Sequence, residues 1–193
     1  MPAVRFRHLI LDRDGVLNEE APASGYITSP GAWRWIPGAL DALALLAHAG
    51  CRVSIATNQS GVGRGRMTPQ DLDAVHARMT SEARDAGGRI DAVFACTHMP
   101  DAGCDCRKPA PGLIDAAVAA CDVPRAQTLV VGDDRRDIDA ARRAGVAAAL
   151  VLTGKGRAAA TALSQEGVPV YDDLHSLVRA LLAARAAEGS DRA

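Results

Sequence analysis

Aromatic residues make up only 3% of this 193-residue chain, two each of Trp, Tyr and Phe. So few rings leave no stacking platform for single-stranded nucleic acid. Charge of one sign is also missing. A formal net charge of −1 offers no attraction to a polyanion or an anionic membrane. A nucleic-acid module, or a nucleic-acid end phosphatase, is therefore disfavoured. No run of 18 apolar residues exists, so no membrane span is expected. The first eleven residues carry Arg5 and Arg7 but lack the apolar core and small-residue cleavage site of an export signal. The five cysteines are odd in number, and three of them fall between residues 96 and 106. That argues against a disulfide framework and for metal ligation in a reducing compartment, so a cytoplasmic protein is expected.

What is present is apolar substance in small units. The chain is 48% hydrophobic, mostly Ala, Val and Leu, and its length suits one domain. Short apolar runs alternate with amphipathic ones. Strands are expected over residues 4–11, 53–56, 90–95, 128–131 and 148–152, with a sixth over 168–171. Helices are expected over 37–49, from Thr68 to about 86, over 112–120, over 137–144 and over 173–187. Thr68-Pro69-Gln70-Asp71 carries an N-cap, a proline at the first helical position and a capping-box acid. Strands apolar throughout and separated by helices predict a doubly wound, mostly parallel α/β sheet. One domain over residues 1–188 and a frayed tail over 189–193 are expected. Residues 19–36, long for a connection and holding Trp33 and Trp35, are expected to form a small flap or minimal cap.

Polar segments follow the strands, where parallel sheets bind their ligands. Asp12 and Asp14 sit one residue apart after the first strand. Two such carboxylates repel unless a cation or a proton neutralises one of them. Asp12 is placed to act as a nucleophile, and Asp14, with a raised pKa, as an acid and base. Gly15 lets the backbone turn sharply. Asp133 follows a neighbouring strand and adds a hard oxygen ligand suited to Mg²⁺. Any single aspartate after a strand is most often a turn or cap residue. The set together with Thr57 and Lys108 is the inventory for phosphoryl transfer.

Cys96, His98, Cys104 and Cys106 form a C-x-H-x5-C-x-C array. Three thiols and one imidazole match a closed structural Zn²⁺ site. The ion would brace the loop that presents Arg107 and Lys108. Asp101, Gly103 and Asp105 make this stretch too polar for a core. Cys51 and Cys121 read as buried structural thiols. His8, His48, His76 and His175 show no ligand spacing and read as surface or boundary residues. The glycine-rich loop from Ser60 to Arg66 offers Arg64 or Arg66 as an anion clamp, and Arg107 is a further candidate.

Asp12-Arg13-Asp14-Gly15-Val16-Leu17-Asn18, Thr57-Asn58-Gln59-Ser60-Gly61, Arg107-Lys108-Pro109 and Gly132-Asp133-Asp134-Arg135-Arg136-Asp137 resemble the four motifs of the haloacid dehalogenase superfamily of phosphohydrolases. The likeness runs from about Arg5 to Lys155. The cysteine array and the Asp-Arg-Asp-Gly form resemble the branch that acts on heptose bisphosphate and histidinol phosphate. The resemblance implies a Mg²⁺-dependent monomeric phosphatase with Asp12 as nucleophile and metal ligand. Asp14 would be the acid/base and give its carbonyl to the metal. Thr57 and Lys108 would hold the phosphoryl group, and Asp133 would be the second metal carboxylate. Asn58, Gln59, Ser60, Arg64 and Arg107 would face a small phosphorylated substrate. Residues 57–65 and 153–155 resemble the heptose enzymes, and the short spacer from His98 to Cys104 resembles the histidinol-phosphate enzymes. Heptose bisphosphate is the expected substrate, with histidinol phosphate or another small phosphate ester as the alternative. Intact Asp12, Asp14, Lys108 and Asp133 argue against a regulatory protein without catalysis.

Overall fold

The computed structural model describes residues 6–21 and 25–190, with only the backbone of 188–190. The order of elements is β1 (His8–Leu11), a 3-10 turn (Pro30–Ala32), α1 (Ala39–His48), β2 (Arg52–Asn58), α2 (Pro69–Asp85), β3 (Ala92–Cys96) and α3 (Gly112–Ala119). A second 3-10 turn (Arg125–Gln127) leads to β4 (Thr128–Gly132), α4 (Arg135–Arg143), β5 (Ala147–Val151), α5 (Gly156–Gln165), β6 (Val170–Tyr171) and α6 (Leu174–Ser190). All six strands are parallel, in the order β3-β2-β1-β4-β5-β6. The chain winds outward from β1 to β3, then returns to place β4 on the other side of β1. That reversal opens a crevice beyond the carboxyl ends of β1 and β4.

Side chains alternate across each strand. Leu9, Leu11, Val53, Ile55, Leu129 and Val131 face one side and pack against α1, α2 and α6 through Leu43, Met79 and Leu177. Ile10, Ala56 and Val130 face the other side, against Ile114 of α3 and Ala140 of α4. Both faces are covered, which is why the strands read as unbroken apolar runs.

Most expected elements form within a few residues of their expected ends. The capping box at Thr68 is present, with Asp71 accepting from the Thr68 N–H and Thr68 accepting from the Asp71 N–H. Four readings need correction. Helix α5 was not expected, because its first turn lies in a glycine-flanked stretch that reads as loop. α6 continues to Ser190, past the helix end expected at 187, while residues 191–193 and the strand start at Val4 and Arg5 lie outside the described residues. His8 is wholly buried, its Nε2 bonded to Ser54 Oγ at 2.9 Å, because a β1 side chain has a covered sheet face to enter. Cys51 is buried as expected, whereas Cys121 is partly exposed.

The connection between β1 and α1 divides in two. Trp33 is completely buried and meets Trp35 edge-on at 5.1 Å. Trp35 Nε1 donates to Glu82 Oε2 at 2.6 Å, so this half is docked on α2. The other half, through Ala21, Gly25, Tyr26 and Ile27, lines the crevice. The described part of the expected flap therefore makes a wall on one half and core on the other.

Candidate active site

A cavity of about 350 Å³ lies at the crevice. Asp12 stands at its floor because β1 ends there, and the Asp12 N–H still donates to Val131 O at 2.9 Å. Asp12 Oδ1 lies 3.0 Å from Lys108 Nζ. The same ammonium reaches Asp137 Oδ1 at 2.6 Å and donates to Ala56 O at 2.7 Å. All three of its protons are directed. Burial opposes its charge, but Asp12 and Asp137 outweigh burial and hold its pKa above the ordinary lysine value.

Carboxylate oxygens of Asp12, Asp133 and Asp137 lie within 4.8 Å of one another. Burial, with the charges of Asp137 and Asp14, raises Asp12 to about 7 against the pull of Lys108. Burial, Asp12 and Asp137 raise Asp133 to about 8, although the Lys155 N–H donates to its Oδ2 at 2.8 Å. One ammonium thus faces three carboxylates. The surplus negative charge and the all-oxygen donor set fit a hard divalent cation such as Mg²⁺. The backbone is shaped to the cluster. Gly15 has φ +81° and Gly154 φ +54°, and a Cβ on either would stand 2.0 Å from Asp133 Oδ2. Thr153 Oγ1 donates to Gly15 O at 2.6 Å and closes the two loops together.

Asp14 also lines the cavity, but its environment differs from the one expected. Arg13 is buried, and its Nη2 donates to both Asp14 oxygens at 2.9 and 3.0 Å. Asn18 Nδ2 and Gln59 Nε2 donate at 2.9 and 2.7 Å. Burial pushes the carboxyl up, yet Arg13, Asn18 and Gln59 prevail and hold it below the usual value. The expected raised pKa is corrected accordingly: the intervening arginine folds back on its neighbour. Arg13 itself lies over the Trp33 ring at 5.8 Å and within 3.3 Å of His76 Nε2.

The second segment supplies supports. Thr57 is fully buried, its Oγ1 accepting from Gln59 Nε2 at 2.9 Å. Gln59 thereby ties Thr57 to Asp14. Asn58 turns both amide atoms onto the Lys108 backbone. Ser60 is buried beside the Tyr26 hydroxyl at 3.5 Å. Arg107 lines the cavity with a buried Nη1 that has no hydrogen-bond partner. The other cations on the wall are matched by carboxylates, Lys108 by Asp12 and Asp137, Arg136 by Asp134, Lys155 by Glu20. Arg64 is exposed and does not line the cavity. The glycine-rich loop turns it away toward solvent.

Beside the cavity the four expected soft ligands converge. Cys96 Sγ lies 3.7 Å from Cys104 Sγ and 3.6 Å from His98 Nδ1. Cys106 Sγ lies 3.5 Å from Cys104 Sγ and 3.2 Å from His98 Nδ1. A tetrahedral ion with Zn–S bonds of about 2.3 Å sets its sulfurs about 3.8 Å apart, so the four atoms fit one closed zinc site.

Residues 105–177 match the HAD-hydrolase-like family. The chain is 43% identical over 178 residues to the D-glycero-beta-D-manno-heptose-1,7-bisphosphate 7-phosphatase of Bordetella bronchiseptica, covering 90% of this chain and 97% of that one. The enzymes of the same name from Pseudomonas putida and Neisseria meningitidis serogroup A are 41% and 39% identical, over 90% and 95% of this chain and 98% of each relative. This chain belongs to the HAD-like hydrolases. Among solved structures of that family, the B. bronchiseptica D,D-heptose 1,7-bisphosphate phosphatase complexed with magnesium and phosphate superposes with a TM-score of 0.84 at 42% identity, covering 92% and 99% of the two chains.

Within this HAD-like site, sequence reasoning missed the weight of Arg13 and Asp137. Arg13 reads as a spacer between two acids. Asp137 follows Asp133 by four residues, one helical turn, but its helix was expected to begin at Asp137 itself. α4 begins two residues earlier, which puts Asp137 at the position whose side chain caps the Asp134 N–H at 3.1 Å and reaches Lys108.

Proposed function

We propose that the chain is a Mg²⁺-dependent phosphatase that removes the 7-phosphate from D-glycero-beta-D-manno-heptose 1,7-bisphosphate. The observation that carries the reaction is the convergence of Asp12, Asp133, Asp137 and Lys108 at one end of a cavity whose wall holds Asp14. Asp12 attacks phosphorus, and the bond from phosphorus to the sugar oxygen breaks. Asp14 is ionised in the empty site, so it can give that oxygen a proton only after the approaching phosphate's negative charge raises its pKa and it takes up a proton from water. Its deprotonated form then takes a proton from water, which attacks the aspartyl-phosphate and releases phosphate and Asp12. Lys108 and Thr57 hold the equatorial oxygens. Asp12, Asp133 and the Asp14 carbonyl would hold a Mg²⁺, which would supply charge neutralisation as negative charge gathers on phosphorus oxygens. Zinc on Cys96, His98, Cys104 and Cys106 is structural, and a reducing cytoplasm keeps those thiols available.

The substrate assignment is supported by the relatives and by Arg107. A bisphosphate brings a second dianion into a cavity whose one unmatched cation, among the described residues, is Arg107. Histidinol phosphate has a single phosphate and would leave that guanidinium without an anion. The deciding measurement is phosphate release with Mg²⁺ from both heptose 1,7-bisphosphate anomers, histidinol phosphate and p-nitrophenyl phosphate. The expected result is the highest kcat/KM on the beta anomer, and a preference for histidinol phosphate would overturn the assignment. Asp12→Asn is expected to abolish turnover on all four while circular dichroism shows the fold intact.

A further inference from the structure

Asn58 lies at the end of β2 on the cavity wall, where a substrate contact is the obvious role. Its side chain is directed elsewhere. Nδ2 donates to Lys108 O at 3.0 Å, and Oδ1 accepts from Lys108 N–H at 3.1 Å. The carboxamide has the donor and acceptor of a peptide group, so the pair copies one rung of a sheet ladder between residues 50 positions apart. Lys108 lies outside every strand and helix, and its main chain would otherwise lack this partner. Its side chain meanwhile has three directed bonds, to Asp12, Asp137 and Ala56 O. A lysine has four rotatable bonds, and its ammonium reaches three fixed acceptors only when its Cα is also fixed.

We propose that Asn58 is a positioning residue, acting on the transferring phosphoryl group only through Lys108, and not a substrate ligand. This rests on the reading of Lys108 as a phosphoryl-holding group. Lys108 faces the phosphoryl group whatever alcohol leaves, so loss of the clamp lowers turnover equally for every substrate. A misplaced catalytic group costs on the order of 10- to 100-fold.

The test uses the full chain with Mg²⁺ and compares wild type with Asn58→Ala and Asn58→Asp. Asn58→Asp is nearly isosteric and serves where the alanine variant fails to fold. It keeps the acceptor for Lys108 N–H and sets a carboxylate oxygen against Lys108 O. Turnover is measured on heptose 1,7-bisphosphate and p-nitrophenyl phosphate, and orthovanadate inhibition reads the phosphoryl site directly. An inhibition constant does not depend on how much of a sample is folded, so simple destabilisation leaves it unmoved. The expected result is kcat lowered by the same factor on both substrates, KM for the bisphosphate nearly unchanged, and an orthovanadate inhibition constant raised about tenfold or more. A loss confined to the bisphosphate, or a wild-type inhibition constant, overturns the proposal. Failure of the phosphatase reading itself would show separately, as wild-type protein releasing phosphate from neither substrate.

Discussion

Lys108 and Arg107 are chain neighbours with opposite fates. Lys108 is spent on Asp12, Asp137 and a carbonyl, so its charge stays with the carboxylate cluster. Arg107 keeps an unsatisfied buried Nη1, and a buried donor without a partner carries a desolvation cost that a phosphate relieves. Arg107→Ala is therefore expected to raise KM for the bisphosphate by roughly 10- to 100-fold, from the loss of about 1.5–3 kcal/mol of charged hydrogen bonding. Turnover of p-nitrophenyl phosphate should stay close to wild type. Equal losses on both substrates in steady-state assays would place Arg107 at the reacting phosphoryl group instead. Both neighbours were legible in the sequence as cations beside a metal loop. Which of them is neutralised was not, because Asp137 lies in another helix and approaches only when α4 packs beyond β4.

At the scale of elements, the loop between β3 and α3 has no regular structure to hold it, yet it must deliver Arg107 and Lys108 to the cavity. The four ligand atoms of Cys96, His98, Cys104 and Cys106 converge within 4.8 Å, and Cys96 is itself the last residue of β3. An ion there would tie the loop to the end of the sheet. Purified protein is expected to contain about one zinc per chain, consistent with a closed four-ligand site. Stripping it with a zinc chelator, then restoring excess Mg²⁺, should lower kcat and make residues 97–107 susceptible to limited proteolysis. Full activity in protein with no zinc by metal analysis would remove the brace from the account. The array could be read from spacing alone because its ligands are close in sequence. Arg64 shows the opposite case. Its loop carries glycines and arginines that suit an anion, but the backbone path sends the side chain outward, and no spacing rule contains that direction.

Across the whole molecule, the charge cluster connects folding to metal and to pH. Asp12 and Asp133 are raised to about 7 and about 8 in the fold, against about 3.9 for a free aspartate. Between those values the native state binds more protons than the unfolded chain, so metal-free protein loses stability as pH rises from about 4 to about 8. Asp14, held low, acts in the reverse sense, its contribution being present above the free value and lost in acid. A divalent cation bound to the ionised cluster would oppose the loss at high pH. Thermal melting of metal-free protein should therefore fall between pH 5 and pH 8, and Mg²⁺ should raise the melting temperature more at pH 8 than at pH 5. A Mg²⁺ effect independent of pH would show that the carboxylates are already ionised without it. Among the described residues no helix is long and apolar enough to cross a membrane.

By itself the sequence determined the order of the strands and of every α-helix but α5, the polar groups at the strand ends and the soft-ligand array. Each of these depends on local pattern: apolar runs, caps, turns, or ligands a few residues apart. Tertiary structure alone decided that Asp137 shares the Lys108 ammonium, that Arg13 holds Asp14 in its charged form, and that Asn58 faces the Lys108 backbone. It also buried His8 against Ser54 and turned Arg64 away. These are contacts between residues far apart in the chain, or directions taken by a loop. The Asp137 contact comes into being when β4 returns beside β1, and the others when β2 and the loops after β1, β2 and β3 settle around the strand ends; no local pattern encodes those distances.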